Sequence, residues 1–489
     1  MSHRGEERSN QLRTEAATVE PQSFRTYTPS LAVIDRSAGC YHWTPEGRML
    51  ADFTSGVLVT NLGHHPIRWW QRVVEMMGLS AQLGPNPTDF NTPTGATAGL
   101  SSSESGSPDQ PAPPSALGSP EQFLSAVPLS AYNALTDLEV RASEQLIATM
   151  RSQPGGGRME QVAWAASGSE AIQKALWLAR AFQKDRPKIV ATRHGFHGKK
   201  GLAGAVTGSE DNKDPHPDVL FVSFPQAECI DTRRRQQPLE LGKYKQELDT
   251  LWQHHGEQIG CLITEPYLGA AGSFHPQLEY LQLLQSFCRE HEIIFILDEI
   301  QANFGRTGEL FAYTTYGLEP DIVCLGKGLG NGMPVAAACG RADVFASMNY
   351  GETSDTYSGN PLSCAAVLAT LDEFADGSVI AHGKQLANTL QAGLVRLAEL
   401  PAVQHVRGEG GVWGVECASI DNHSAAEVAN ACVRGCYLGD SSGRAIHLLG
   451  PLAGQVIRVS PPLVMPHDEA EEYLGVMYDI IAEVPANLG

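Results

Sequence analysis

The sequence predicts an α/β fold, a mostly parallel sheet with helices on both faces, followed by a smaller α+β domain. Three observations carry this. Between about 129 and 365, short β-rich apolar runs alternate with helical patterns. Those runs are continuously apolar, as strands buried on both faces must be. After about 376 the order becomes helix, short strands and a terminal helix.

Residues 1–25 are polar and aperiodic and are expected to form a mobile tail. In 26–83, the N-terminal segment of the small domain, Tyr41-His42-Trp43 and 49–53 flank Pro45-Glu46-Gly47, a hairpin pattern. A Gly-rich turn and a helix over 66–78 follow. Residues 84–120 are dominated by Gly, Pro, Ser, Thr and Ala. That composition cannot bury a core, so a low-complexity insertion is expected there. The large domain is expected over 121–370, with strands at 161–165, 188–192, 219–223, 261–264, 293–297 and 322–325 and helices at 135–150, 170–184, 277–291 and 361–376. The C-terminal small domain, 371–489, is expected to hold strands at 412–417 and 456–459 and a terminal helix over 467–483.

Composition excludes some functions. The 489 residues carry a net charge of −20, which disfavours nucleic acid or an anionic membrane as partner. The one basic run, Arg233-Arg234-Arg235, reads as a solvated loop. No apolar run reaches the roughly 18 residues of a membrane span. The N-terminus lacks an apolar leader core and carries acids, which speaks against secretion and mitochondrial import. The 10 cysteines include no Cys-x-x-Cys pair, and Cys432 and Cys436 sit in an expected helix, so buried reduced thiols of a cytoplasmic protein are expected.

In an open α/β sheet, ligands gather at the C-terminal ends of the strands, and four such ends carry distinctive residues. At Ser167-Gly168-Ser169-Glu170 a strand meets an amphipathic helix whose free N–H groups suit a phosphate; the same residues also read as an ordinary capping box. After the strand ending at Thr192 comes Phe196-His197-Gly198, an aromatic beside a glycine, where core packing is the competing reading. Asp298-Glu299-Ile300-Gln301 ends a third strand. An acid there can be a base, a cation partner, a metal ligand or a plain cap; no His stands at ligand spacing nearby, and no metal is expected. Lys327 follows a fourth strand among glycines, Gly326-Lys327-Gly328-Leu329-Gly330. It is the only lysine between Lys245 and Lys384 in a chain that has ten. A desolvated lysine has a depressed pKa and can form a Schiff base. A dinucleotide fingerprint fails at these glycines because apolar Pro334-Val335-Ala336 follows instead of a helix start. Together, a phosphate-binding helix start, an aromatic, a strand-end Asp and a strand-end Lys are what the chemistry of pyridoxal phosphate requires of a protein.

With these residues in place the sequence resembles the class-III aminotransferases, pyridoxal-phosphate enzymes that include 4-aminobutyrate, ornithine and acetylornithine aminotransferases. The resemblance spans about 30–83 and 121–485 and is most specific over 297–332, LDEIQANFGRTGELFAYTTYGLEPDIVCLGKGLGNG. It implies the fold-type-I architecture, a large domain with a seven-stranded-type, mostly parallel sheet plus a smaller α+β domain. Lys327 matches the lysine that holds the cofactor and shuttles the substrate proton, and Asp298 the partner of the pyridine nitrogen. Gln301 matches the residue near the ring hydroxyl and Phe196 the aromatic stacked on the ring, followed by His197. Gly168 and Ser169, after Ser167, match the phosphate turn. Thr356 matches the threonine that reaches the phosphate of the neighbouring subunit, which implies a homodimer with shared active sites. Arg458 matches the arginine that pairs with a substrate carboxylate. Two positions depart from relatives. Ala270 stands where several ω-amino-acid enzymes have a Glu that covers this arginine, and Val57 where a dialkylglycine decarboxylase has Gln. The implied activity is ping-pong, Schiff-base transfer of an amino group, from an ω-amino or diamino acid, to a 2-oxo acid. The alternatives are decarboxylating transamination, aminomutase or amine lyase chemistry, or a non-catalytic cofactor-binding relative.

Overall fold

The computed structural model describes residues 2–21, 23, 26–79, 124–208 and 215–488. Fourteen strands occur among them: β1 Arg36–Ala38, β2 Tyr41–Trp43, β3 Met49–Asp52, β4 Gln161–Ala165, β5 Lys188–Thr192, β6 Val219–Val222, β7 Ile259–Thr264, β8 Ile294–Asp298, β9 Ile322–Leu325, β10 Ala336–Gly340, β11 Val403–Glu409, β12 Val412–Cys417, β13 Ile446–His447 and β14 Val456–Val459. They form a seven-stranded sheet in the order β4-β10-β9-β8-β7-β5-β6, a four-stranded sheet β1-β2-β3-β13 and a three-stranded sheet β11-β12-β14.

In the large sheet the pairs β9–β8, β8–β7, β7–β5 and β5–β6 are parallel. Only β10 runs against its neighbours β4 and β9. Period-two geometry sends alternate residues to opposite faces, and here both faces are apolar. Phe295, Leu297, Val323 and Leu325 enter one core, while Ile294, Ile296, Ile322 and Cys324 enter the other. The helix Gly168–Phe182 supplies Ile172, Ala175, Leu176 and Ala179 to the second core. A separate core joins β11, β12 and β14 to the helices Ser378–Arg396, Ala425–Leu438 and His467–Asn487.

Three expectations need correction, and two elements carry no sequence expectation. The segment 1–25 contains a helix, Glu7–Val19. Arg13 donates to Glu6 Oε2 at 2.7 Å and to Leu31 O at 2.9 Å, and the Tyr437 hydroxyl donates to Glu6 Oε1 at 2.9 Å. Polar bonds hold the helix, so it has no apolar period to read. The strand β10 is absent from the expected set; alanine is depleted in strands, and only burial between two neighbours makes one here. The boundary at 370/371 cuts the helix Pro361–Phe374, whose Leu371 and Phe374 join the large core. The basic run is a helical turn, Thr232–Arg235, capped by Asp231; Arg235 reaches Glu409 Oε2 at 2.8 Å, while Arg233 and Arg234 are exposed. The helix Gly242–His255 was not expected, because only Tyr244 and Leu248 mark its buried stripe. The insertion at 84–120 lies outside the described residues.

Candidate active site

The ends of β4, β5, β7, β8 and β9 open on one edge of the large sheet, and the turn after each carries a polar group. At β4 the helix Gly168–Phe182 starts from Ser167. The capping box is real: Ser167 Oγ accepts from the Glu170 N–H, and Glu170 Oε2 accepts from the Ser167 N–H at 3.1 Å. The two readings of this turn therefore coexist, since the N–H groups of Gly168 and Ser169 have no carbonyl one turn back. Gly198 packs against this turn; a Cβ there would stand 2.5 Å from Ser169 Oγ. A Cβ on Gly168 would stand 2.9 Å from Ile300 Cδ1. Only glycines keep this cradle open.

At the end of β8 the two acids part company. Asp298 Oδ2 accepts from His197 Nδ1 at 2.7 Å, and Oδ1 accepts from the Ile300 N–H at 3.1 Å. His197 Nε2 is buried without a partner. Glu299 turns away, accepts from the N–H groups of Ala312 and Tyr313 at 2.7 Å each, and is pushed up to about 8 by burial. It is the cap; Asp298 faces the site.

Sequence reasoning missed Glu265, which directly follows β7. Its carboxyl accepts from the Phe196 N–H at 2.8 Å and the Gly269 N–H at 3.1 Å, and burial raises it to about 7. The signal was available, because an acid ending an apolar strand is what singled out Asp298. The loop that follows closes on Gln301. A Cβ on Gly269 would fall 2.3 Å from Gln301 Oε1, itself buried without a partner. Arg458, on β14, donates from Nη2 to Gly269 O at 2.7 Å, and its buried Nε has no partner. Ala270 offers no carboxylate here, and no ion pair engages Arg458 among the described residues.

Lys327 opens a 3-10 turn, Lys327–Gly330, with φ +48°. Such a left-handed non-glycine conformation is held only where its surroundings enforce it. Asn303 Nδ2 binds Gly326 O at 3.1 Å, and Asn331 Oδ1 accepts from the Leu62 N–H at 3.1 Å. Burial lowers the amine to about 8 and Arg458 adds to the effect, while Asp298 and Glu265 oppose it. Lys327 makes no hydrogen bond or ion pair among the described residues. Thr356 is not brought to this cluster. It is exposed in a segment that Lys174 ties down through Asp355 at 2.6 Å and Ser358 at 3.0 Å.

The arrangement fits a phosphorylated aromatic aldehyde. The cradle suits the phosphate, and the free amine suits the aldehyde. The unpartnered buried polar atoms of Gln301 and Arg458 suit polar groups of a cofactor and a substrate. Fold and site together define a pyridoxal-phosphate enzyme. Comparison with known proteins agrees. The aminotransferase class-III family model matches residues 116–481. An acetylornithine aminotransferase of Gloeobacter violaceus is 28% identical over 479 residues, covering 96% of this chain and 98% of that one. A 2-aminoadipate transaminase of Pseudomonas putida is 31% identical over 330 residues, 65% of this chain and 76% of its own. In fold, an S-selective transaminase from Arthrobacter sp. superposes with TM-score 0.75 at 20% identity, over 98% of this chain and 99% of that one. The chain belongs to the class-III aminotransferases, and it is a pyridoxal-phosphate-dependent transaminase.

Proposed function

We propose that the chain moves the amino group of an ω-amino or diamino acid to a 2-oxo acid, 2-oxoglutarate or pyruvate, in a ping-pong cycle. The observation that carries this is a free amine with a lowered pKa, Lys327, electrostatically coupled to a buried guanidinium with an open Nε, Arg458. Similarity to acetylornithine, 4-aminobutyrate and ornithine aminotransferases supports the donor class.

When bound, pyridoxal phosphate supplies an aldehyde that exchanges amines and a ring that takes up the electrons of a broken Cα–H bond. The chain does the rest. Lys327 Nζ presents its neutral amine to the aldehyde, then takes and returns the substrate proton. Asp298, oriented by His197, would hold a proton on the ring nitrogen, and Phe196 would cover the ring. Gln301 would meet the ring hydroxyl, and Ser167, Gly168 and Ser169 would bind the phosphate. Arg458 offers a two-pronged fork to a substrate carboxylate; with Ala270 beside it, no acid competes for the fork.

We further propose a homodimer in which exposed Thr356 reaches the partner's phosphate. Exposed Tyr350 and Tyr357 near it support a covered surface. All ten cysteines are free and buried, which supports a cytoplasmic setting. No helix of the described residues is long and apolar enough to cross a membrane. For domains, we propose a cofactor domain over 121–370 extended to the end of the helix Pro361–Phe374, a small domain from the N-terminal sheet and the remaining C-terminal residues, and a linking helix, Ile67–Met76, whose Trp69 and Val73 lie in the large core.

The test is a single-turnover panel of amines against the holoenzyme, read by its visible absorbance. An ω-amine donor should bleach the band and consume one 2-oxo acid per amine, and Lys327→Ala should lack the band. Release of carbon dioxide, or product formed without an oxo acid, would establish the decarboxylating or lyase alternatives instead.

A further inference from the structure

Away from the transaminase site, the four-stranded sheet carries a polar row across its strands. Ser37 on β1 pairs in register with His42 on β2, His42 with Leu50 on β3, and His447 on β13 with Asp52. Residues opposite each other, or two apart on one strand, share a face, so Ser37, His42, Asp52 and His447 lie on one side of this sheet. The turn after β3 brings His64 to the same place. His64 is held by its backbone, which exchanges two hydrogen bonds with Gly39, at 2.9 and 2.8 Å, in the turn between β1 and β2.

The atoms converge in a specific way. Asp52 Oδ1 is committed, accepting from the Thr54 N–H at 2.8 Å, the Thr54 hydroxyl at 2.7 Å and the Ser55 N–H at 3.1 Å. Its other oxygen, Oδ2, faces two imidazole nitrogens, His64 Nε2 at 2.8 Å and His42 Nε2 at 3.6 Å. The second distance is too long for a hydrogen bond. It is close to the roughly 3.3–3.5 Å between ligand atoms that tetrahedral zinc bonds of ~2.0–2.2 Å imply. One atom from each of the three side chains lies within 4.8 Å of the others. The far nitrogen of His42, Nδ1, sits 2.7 Å from Ser37 Oγ. In the tautomer with Nδ1 protonated, Ser37 Oγ accepts this hydrogen bond and the Nε2 lone pair is free, the arrangement that the outer hydrogen bond of a metal-binding histidine provides. The site is buried: Asp52 and His42 are 0% and 4% exposed. A third imidazole, His447, stands edge-on to His42 at 5.3 Å, and its buried Nδ1 has no partner.

We propose that His42, His64 and Asp52 bind one divalent transition-metal ion, Zn2+ being the natural fit to two imidazoles and a carboxylate, as a structural site of the N-terminal sheet. The ion would replace the short His64–Asp52 contact with three bonds and pin β2, β3 and the loop bearing His64 to one point. That loop leads directly to the cofactor turn, because Asn331 Nδ2 donates to Gly63 O at 3.3 Å. The site is separate from Lys327 chemistry and holds whichever amine is the donor.

The test uses the whole holoenzyme, stripped with a chelator, dialysed and titrated with Zn2+. Wild type should retain one zinc per chain after gel filtration. His42→Gln should lose this while keeping the visible cofactor band, and Ser37→Ala, which removes only the outer bond, should weaken binding about 10-fold. X-ray absorption of the zinc-loaded wild type is independent of any variant and should show imidazole and carboxylate ligands without sulfur. Failure of wild type to retain zinc, variants that titrate like wild type, or sulfur ligands would each overturn the proposal and leave a hydrogen-bonded His–Asp–His cluster.

Discussion

Burial is what makes the Lys327 amine reactive. With an ordinary amine near 10.5, about one molecule in three thousand is neutral at pH 7; at about 8 the fraction is about one in ten. The neutral amine is the nucleophile. The rate at which stripped protein recaptures pyridoxal phosphate is therefore expected to rise about tenfold per pH unit below 8 and to flatten above it. A profile still climbing steeply at pH 9 would show that burial does not set this amine. Linkage runs the same way. The folded state releases this proton before the unfolded state does, so the group's contribution to stability rises between about pH 8 and 10.5. At this scale the sequence was informative where chemistry and position coincide, as at Lys327 and Asp298. It was silent on His197 Nδ1 meeting Asp298, because that contact joins two distant strand ends.

Among elements, those with strong apolar patterns were legible. The strands Gln161–Ala165, Lys188–Thr192 and Ile322–Leu325 stand where continuous apolar runs put them. What escaped was held by something other than pattern. β10 is five small residues that are a strand only because β4 and β9 enclose them, and the helix Glu7–Val19 is fastened by charge. Breaking that fastening gives a measurable outcome. Arg13→Ala leaves Glu6 buried, although Arg48 and Tyr437 still bond it. The expected loss is about 1–3 kcal/mol, less than for a carboxylate left wholly unpaired. Chemical denaturation would show it as a lowered midpoint at unchanged slope, and an unchanged midpoint would mean that the helix contributes nothing to the global fold.

Across the whole molecule the site depends on both sheets. Arg407 and Arg458 lie on the three-stranded sheet, yet they bind the carbonyls of Gly272, at 2.7 Å, and Gly269, in the loop after β7. Glu409, also on that sheet, meets Arg235 and, at 3.0 Å, Tyr316 of the large domain. The homodimer reading belongs to this scale too. If Thr356 serves its neighbour's phosphate, subunits carrying Lys327→Ala and subunits carrying Thr356→Glu should each be inactive alone and regain activity when unfolded and refolded together. Absence of recovery in mixed dimers would place Thr356 outside any shared site.

The antiparallel strand has one more consequence, for synthesis. β4, which leads into the glycine-lined cradle, meets the rest of its sheet only through β10, and β10 is made long after it. At ~5–20 residues per second, a nascent chain holds β4 without a partner for on the order of ten seconds or more. Through that interval an apolar edge stands open on the ribosome, and the cradle can take shape only once the lysine that will use it has already been translated.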